Sequence, residues 1–431
     1  MDLVDGGRPV VLEAVERAAQ ESAAVIGRTV IAGVVNLAAE DPPAGVDCPQ
    51  GHRARLAGVR PKTVRTLLGG FRLSRGYYYC DSCRRGFVPA DERLGVVGTS
   101  LSPGLARACA LAGAEMPYAK SGAFISTVTG LDLASASTIS RATKTQGGRA
   151  RDLISTELEA ARPGGPAAAF THLPDKCYVV MDGTGAPMLP RECEGRQGKT
   201  GERAGTREVK IGCLFTQTGV DPVSGQPLQD RGSVSYISTF EPAERFAHLV
   251  KAEYWRRGLD QIRQPIVLGD GARWIWNIAD TKFPEATQIV DYYHAREHLA
   301  DLTKLVTPLL DDPTSWEKTL ADQLDLGDTS AIATAVDKLN LDQNAPALAR
   351  PANTEVGYFT GNHHRMQYAE FLANSYYIGS GPVESACNTI VKQRAKRAGM
   401  HWTIPGLDPV LALRTLHQSH RDHTLWPTPQ T

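Results

Sequence analysis

Beyond about residue 170 the chain strings together short apolar runs separated by glycine-rich turns, and two of these runs end on an aspartate. Cys177-Tyr-Val-Val-Met181 leads into Asp182, and Pro265-Ile-Val-Leu-Gly269 leads into Asp270. Runs of this length, without polar alternation, read as strands buried on both faces. Val209 to Thr216 and Val234 to Phe240 read as two more strands, and Thr287 to Tyr293 as another. Glu241 to Arg257 sets Phe246, Leu249, Val250 and Tyr254 on one helical stripe, and Ala272 to Asp280 forms a second, shorter helix.

Three strands, a helix, a strand, a helix and a strand is the order of an RNase H-like core. The expected architecture is therefore multidomain α/β. A catalytic core occupies 170–299 and 376–431, the latter holding its last helix and a C-terminal tail. An all-helical insertion fills 300–375. Three pieces precede the core: an N-terminal helical arm over 1–44, a basic zinc-ribbon-like domain over 45–96, and a helical DNA-binding region over 97–165. In the arm, Val11, Leu12, Val15 and Ala18 share one stripe, and Asp41-Pro42-Pro43 closes it. In the third piece, helices near Leu105–Glu115, Tyr118–Val128 and from Ser135 towards Arg151 suit a helix-turn-helix. Arg141, Lys144, Arg149 and Arg151 lie on or past its last helix, and a helical packing module is the alternative. The loop Arg162-Pro163-Gly164-Gly165-Pro166 ends the region.

A carboxylate at the end of a buried strand is costly to desolvate unless a cation or donor compensates it. Asp182 is followed by Gly183-Thr184-Gly185 and Asp270 by Gly271, which lets backbone or substrate approach. A third acid, Glu384, lies in Gly379-Ser-Gly-Pro-Val-Glu384, where Pro382 can open a helix. Taken singly, each acid reads equally as a cap or a turn. Together, three carboxylates suit two Mg²⁺ or Mn²⁺ ions and in-line phosphoryl transfer.

Four segments, Val179-Val-Met-Asp-Gly-Thr-Gly185, Gly269-Asp-Gly-Ala-Arg-Trp-Ile-Trp276, Asp291-Tyr-Tyr-His-Ala-Arg-Glu-His-Leu299 and Gly381-Pro-Val-Glu-Ser-Ala-Cys-Asn388, resemble bacterial insertion-sequence transposases of the Kra type. These are DDE transposases related to the Mutator-like group. The resemblance implies Asp182, Asp270 and Glu384 as the catalytic, metal-binding triad. It also implies that His294 contacts the reacting DNA, with Asp291 orienting its ring; a hydrogen-bonded core histidine at a strand end is the alternative. The His417 to His423 stretch departs from the family.

Eight cysteines are present. Cys48-Pro-Gln-Gly-His52 and Cys80-Asp-Ser-Cys83 form two knuckles with the spacing of a tetrahedral structural Zn²⁺ site. The segment has little apolar sequence of its own, so metal would supply folding energy. The chain's formal net charge is zero, but residues 48–94 hold ten basic and three acidic residues, and residues 301–350 hold four basic and nine acidic. Phosphate responds to the local patch. Arg84 and Arg85 beside the second knuckle are candidate DNA contacts. So are Lys392, Arg394, Lys396 and Arg397, expected on one helix running from Pro382 to Arg397; a solvated charged face is the alternative.

These readings imply an enzyme that cleaves transposon ends and transfers the strand into target DNA. Its expected partners are double-stranded DNA and, on that DNA, further copies of the chain. A nuclease of the same fold that joins nothing, or a domesticated non-catalytic DNA-binding protein, would carry much the same sequence. No apolar run reaches bilayer length and no secretory signal opens the chain, so a cytoplasmic, nucleoid-associated protein is expected without membrane partners.

Overall fold

The computed structural model describes residues 4–5, 8–9, 11–37, 42–164, 170, 172–198 and 201–427. The expectations placed on Met1–Leu3, on Asp41 and on Gly165-Pro166 lie outside the described residues. The chain is mixed α/β and divides into two units, Met1–Arg149 and Ala150–Thr431. Among the described residues no helix is long and apolar enough to cross a membrane.

After a two-residue strand pair, Val4–Asp5 with Arg8–Pro9, the first unit carries helix α1 (Leu12–Leu37) and a four-stranded antiparallel sheet of order β1-β2-β3-β4. The strands are β1 (Gly45–Asp47), β2 (Arg53–Thr66), β3 (Gly69–Cys80) and β4 (Arg85–Phe87). The sheet has more core than its sequence suggests. Ala54 and Tyr78 pack beside Cys48 and Cys80 at one end, while Val64, Leu73 and Val96 pack at the other. The stripe expected to anchor α1 faces outward: Leu12 is 77% exposed. The opposite face holds the helix down. Gly27 makes room for Leu68, and the Asn36 side chain donates to Arg72 O and accepts from Ser74 N.

Helices α2 (Pro103–Glu115), α3 (Tyr118–Thr129) and α4 (Ala136–Ala160) follow. The first two end as capping rules require. Ser102 accepts from Leu105 N at the start of α2, and Gly130 takes a left-handed φ of 69° to close α3. The third helix does not stop near Arg151 but continues to Ala160. Arg151 is paired with Asp408 at 2.7 Å and also donates to Ser238 O.

The second unit is built on a five-stranded sheet of order β7-β6-β5-β8-β9. Its members are β5 (Lys176–Pro187), β6 (Thr206–Gln217), β7 (Ser235–Thr239), β8 (Gln264–Gly269) and β9 (Thr287–Val290). Strands β5, β8 and β9 are parallel, and β6 runs antiparallel to both β5 and β7. Central β5 is apolar because it is covered twice: Cys177 to Met181 are all buried. Helices α5 (Ala243–Arg256) and α6 (Arg273–Lys282) intervene in the chain between these strands. Gly212 on β6 leaves space for Phe246 and Val250 of α5.

Past β9 come α7 (Tyr292–Val306), α8 (Pro313–Asp325), α9 (Ser330–Asp337) and α10 (Pro346–Gly361), with a short helix Tyr368–Ala373. The chain then returns to the sheet through α11 (Gly381–Ala386) and continues into α12 (Ile404–Gln418), a long buried helix that the sequence reading did not anticipate, followed by a short helix Asp422–Leu425. The return is pinned by Tyr178. Its ring stacks on Phe215 at 4.7 Å and meets Tyr377 edge-on. Its hydroxyl donates to Gln217 Oε1 at 2.6 Å and accepts from Tyr377 N. Tyr178→Phe should therefore cost about 1–2 kcal/mol, since a buried acceptor and a buried N–H both lose a partner. A fall in denaturant midpoint at unchanged slope checks this.

Candidate functional site

Strand β5 outlasts its parallel neighbour. Pairing with β8 ends at Leu268 and Val180, while β5 stays paired to β6 as far as Pro187. Two residues past the last pair stand Asp182, still on β5, and Asp270, just after the end of β8. Asp182 is thus not at a strand end, as expected, but in mid-strand where one neighbour stops. Asp270 does follow the end of its strand, and its carboxylate accepts from Ala272 N at 2.9 Å. Both line one polar cleft of about 590 Å³ with His294, Glu297, Ser380, Glu384, Ser385, Asn388 and Lys392. The cleft lies wholly within the second unit.

Burial pushes the Asp182 carboxyl above the usual carboxylate range, and nearby Asp270 adds to the rise. The Cys387 thiol, donating at 3.2 Å, its own Gly183 N–H and Lys392 oppose it. Cys387 is itself held as a thiol by burial and by that carboxylate.

Gly271 sits at φ +95°, and a Cβ there would come within 2.5 Å of the Tyr358 ring. The Tyr358 hydroxyl donates to Asp270 O. Helix α10, from the helical stretch after β9, therefore braces the loop that carries Asp270. The same ring stacks on His298 at 3.8 Å, and His298 meets Glu355 at 2.6 Å.

Strand β9 ends at Val290, three residues sooner than expected, because Asp291 accepts from His294 N and caps α7. His294 thus stands on the first turn of a helix. Asp291 does not orient the His294 ring as expected: its second oxygen accepts from Ser380 N, and the ring nitrogen faces Glu297 at 3.3 Å. Buried Asp291 serves a different purpose. Through Ser380, whose hydroxyl donates to Glu384 Oε1 at 2.7 Å, it ties the His294 helix to the Glu384 helix.

Glu384 lies on α11, opened by Pro382 as expected, but the helix does not run evenly to Arg397. It passes through a π-helical stretch, Cys387–Lys392, and stops at Ala395. A π-turn spoils the regular bonding of nearby carbonyls. Buried Arg414 on α12 compensates by donating to Thr389 O at 2.9 Å and Ile390 O at 3.0 Å.

The four basic candidates consequently part company. Lys392 is exposed and lines the cleft. Lys396 lies beyond the helix and donates to Thr184 Oγ1, and Arg397 donates back to Gln393 O. Arg394 is only 1% exposed, with its guanidinium 4.8 Å over the Trp402 ring, so it is a core residue and not a DNA contact. Arg394→Ala should cost roughly 2–4 kcal/mol of stability. Lys392→Ala should change it by less than about 0.5 kcal/mol. Paired denaturant titrations decide this.

Sequence reading missed Ser380, Ser385, Cys387, Asn388 and Glu297. Cys387 and Asn388 stand three and four residues after Glu384, the spacing that shares a helix face, and that signal could have found them.

In the first unit the two knuckles meet. Cys48 and His52 flank the β1–β2 turn, and Cys80 and Cys83 flank the β3–β4 turn. Their four ligand atoms lie within 4.8 Å of one another. Cys48 Sγ is 3.8 Å from Cys83 Sγ and 3.9 Å from His52 Nδ1, and His52 Nδ1 is 3.1 Å from Cys83 Sγ. A tetrahedron with Zn–S bonds of 2.3 Å has edges of about 3.8 Å, so the cluster can hold a metal ion such as zinc. Arg84 and Arg85 are exposed beside it. Purified protein should contain one zinc per chain by elemental analysis. Cys80→Ser should lose it and expose the first unit to proteolysis while sparing the second.

No family model matches the chain, and no curated protein does. Among solved structures, the strand transfer complex of the Drosophila P element transposase aligns over 74% of this chain and 79% of that chain. The identity is 10% and the TM-score 0.25, a likeness too slight to argue from.

Proposed function

We propose that the protein is a DNA transposase of the DDE type. The observation that carries this reading is the convergence of Asp182, Asp270 and Glu384 on one cleft, from a central strand, the end of its parallel neighbour and a late helix. The order β7-β6-β5-β8-β9, with the third, fourth and fifth strands parallel, supports an RNase H-like core. The helical stretch over 300–375, which includes α8 to α10, would then be the insertion between the second and third acids.

The donor set fits hard divalent cations. All three triad ligands are carboxylate oxygens, and Asp182 and Asp270 repel each other in a partly desolvated site. Two Mg²⁺ or Mn²⁺ ions held there would supply charge neutralisation for the attacking and leaving oxygens of phosphoryl transfer. The chain's own groups do the rest. Ser380 fixes the Glu384 carboxylate. The Cys387 thiol keeps one Asp182 oxygen turned from free rotation. Lys392 brings a cation to the cleft rim, and His294 presents a ring nitrogen to a passing phosphate. The Cys48–His52–Cys80–Cys83 cluster would be a structural zinc ribbon whose basic surroundings, including Arg84 and Arg85, meet duplex DNA. Lys396 and Arg397 would extend that contact near the cleft.

Asp182→Asn, Asp270→Asn and Glu384→Gln should each lower cleavage and strand transfer by on the order of a thousandfold, with end binding retained. Full activity in any one variant removes that residue from the site, and full activity in all three ends the reading. Asp182→Asn carries a second signature. A carboxyl with a raised folded pKa binds its proton more tightly when folded. Its contribution to stability is therefore present at low pH and lost as pH rises through that pKa. In metal-free buffer near neutral pH, removing the charge should raise Tm, and the gain should vanish on acidification.

A further inference from the structure

Helix α1 leaves one complete face uncovered in the first unit. Its buried side, with Ala24, Gly27, Ile31 and Val35, lies against the β2–β3 hairpin. The other side carries an apolar stripe along the whole helix, about 38 Å at 1.5 Å per residue. On it Val15 is 50% exposed, and Ile26, Val30, Val34 and Leu37 are more exposed still. From Ser22 to Leu37 the helix has one charged residue, Arg28, and that residue reaches to the other side, against Gly69. Such a stripe is a contact surface.

The sequence of large and small residues along the stripe selects the occupant. Laid antiparallel on a second copy of itself, with residue numbers facing so that 12 meets 37, the stripe matches throughout. Leu12 faces Leu37, Val15 faces Val34, Ala19 faces Val30 and Ala23 faces Ile26. Each alanine in the middle receives a large side chain, so the gap between helices stays even. A parallel pair would set alanine on alanine at 19 and 23 and leave voids beside the bulky pairs. Antiparallel packing also opposes the two helix dipoles favourably. At roughly 100 Å² for each large apolar side chain, the stripe and its flanks remove on the order of 700 Å² per copy. That approaches the roughly 800 Å² that each partner contributes to a standard interface.

We infer that the protein forms a two-fold symmetric dimer through antiparallel α1 helices, without DNA. Full-length protein in sedimentation equilibrium should then show twice the 46.5 kDa chain mass. V15E and V34K should each be at least tenfold weaker dimers, with unchanged circular dichroism and zinc content. Mixed together, the two should recover a heterodimer, because position 15 of one copy faces position 34 of the other and the new charges attract. A parallel pair would give no recovery. Monomeric wild type overturns the inference, whether another segment of the chain or nothing covers the stripe. So does a dimer that both substitutions leave untouched, or one that the mixture fails to restore.

Discussion

The site depends on an unequal pair of strands. Strand β8 stops at Gly269 while β5 runs on to Pro187 beside β6. Where the parallel partner ends, backbone and side chains of β5 face open space, and two aspartates in register come to the same point. Like charges brought together in a half-buried cleft destabilise the fold by themselves. The surroundings answer that cost with donors: the Cys387 thiol, the Gly183 and Ala272 amides, and Lys392 at the rim. Among the described residues no side-chain cation forms an ion pair with Asp182 or Asp270, and a hard metal ion would complete this charge pattern.

The second layer of the site is held by Asp291, a buried acid with no place in the triad. One oxygen caps α7 and the other receives the Ser380 amide, which brings Glu384 to the mouth of the strands. His294 and Glu384, far apart in the chain, thereby share one support. The long helical stretch after β9 belongs to the same construction, because Tyr358 from α10 bonds to the Asp270 carbonyl and occupies the space that Gly271 leaves free. A change in that stretch would be felt at Asp270 through the ring contact.

Much of this was legible in the chain. Short strand-like runs pointed to the five strands of the second unit's sheet, and an acid directly after an unbroken apolar run was conspicuous. The Cys-x₃-His and Cys-x₂-Cys knuckles announced their cluster. What was hidden had long-range causes. That β5 continues past Asp182 depends on β6 pairing with it, not on its own residues. The π-stretch after Glu384 rests on Arg414, some 25 residues later, and it is what turns Arg394 into the core and carries Lys392 to the cleft. In α1 both faces are apolar, so periodicity could not say which one packs; Gly27 and Asn36 decide it by fitting the hairpin.

The charge of the cleft also constrains the order of events in the proposed reaction. Asp182, Asp270, Glu297 and Glu384 line it, against Lys392 and a histidine. A bare phosphodiester entering that field meets more negative charge than positive, and in a restricted cleft the repulsion is screened less than in open solvent. The exposed basic residues that can attract DNA at a distance lie elsewhere, at Arg53, Arg55, Arg60, Arg72, Arg84, Arg85 and Arg93 of the 48–94 segment. Affinity and chemistry would therefore be divided between the two units. Under the proposed reading the first would hold the duplex through its backbone charges, and the second would admit a phosphate only after its carboxylates had been neutralised. Such a division keeps a reactive site from acting on every strand the protein touches, because binding alone does not complete it.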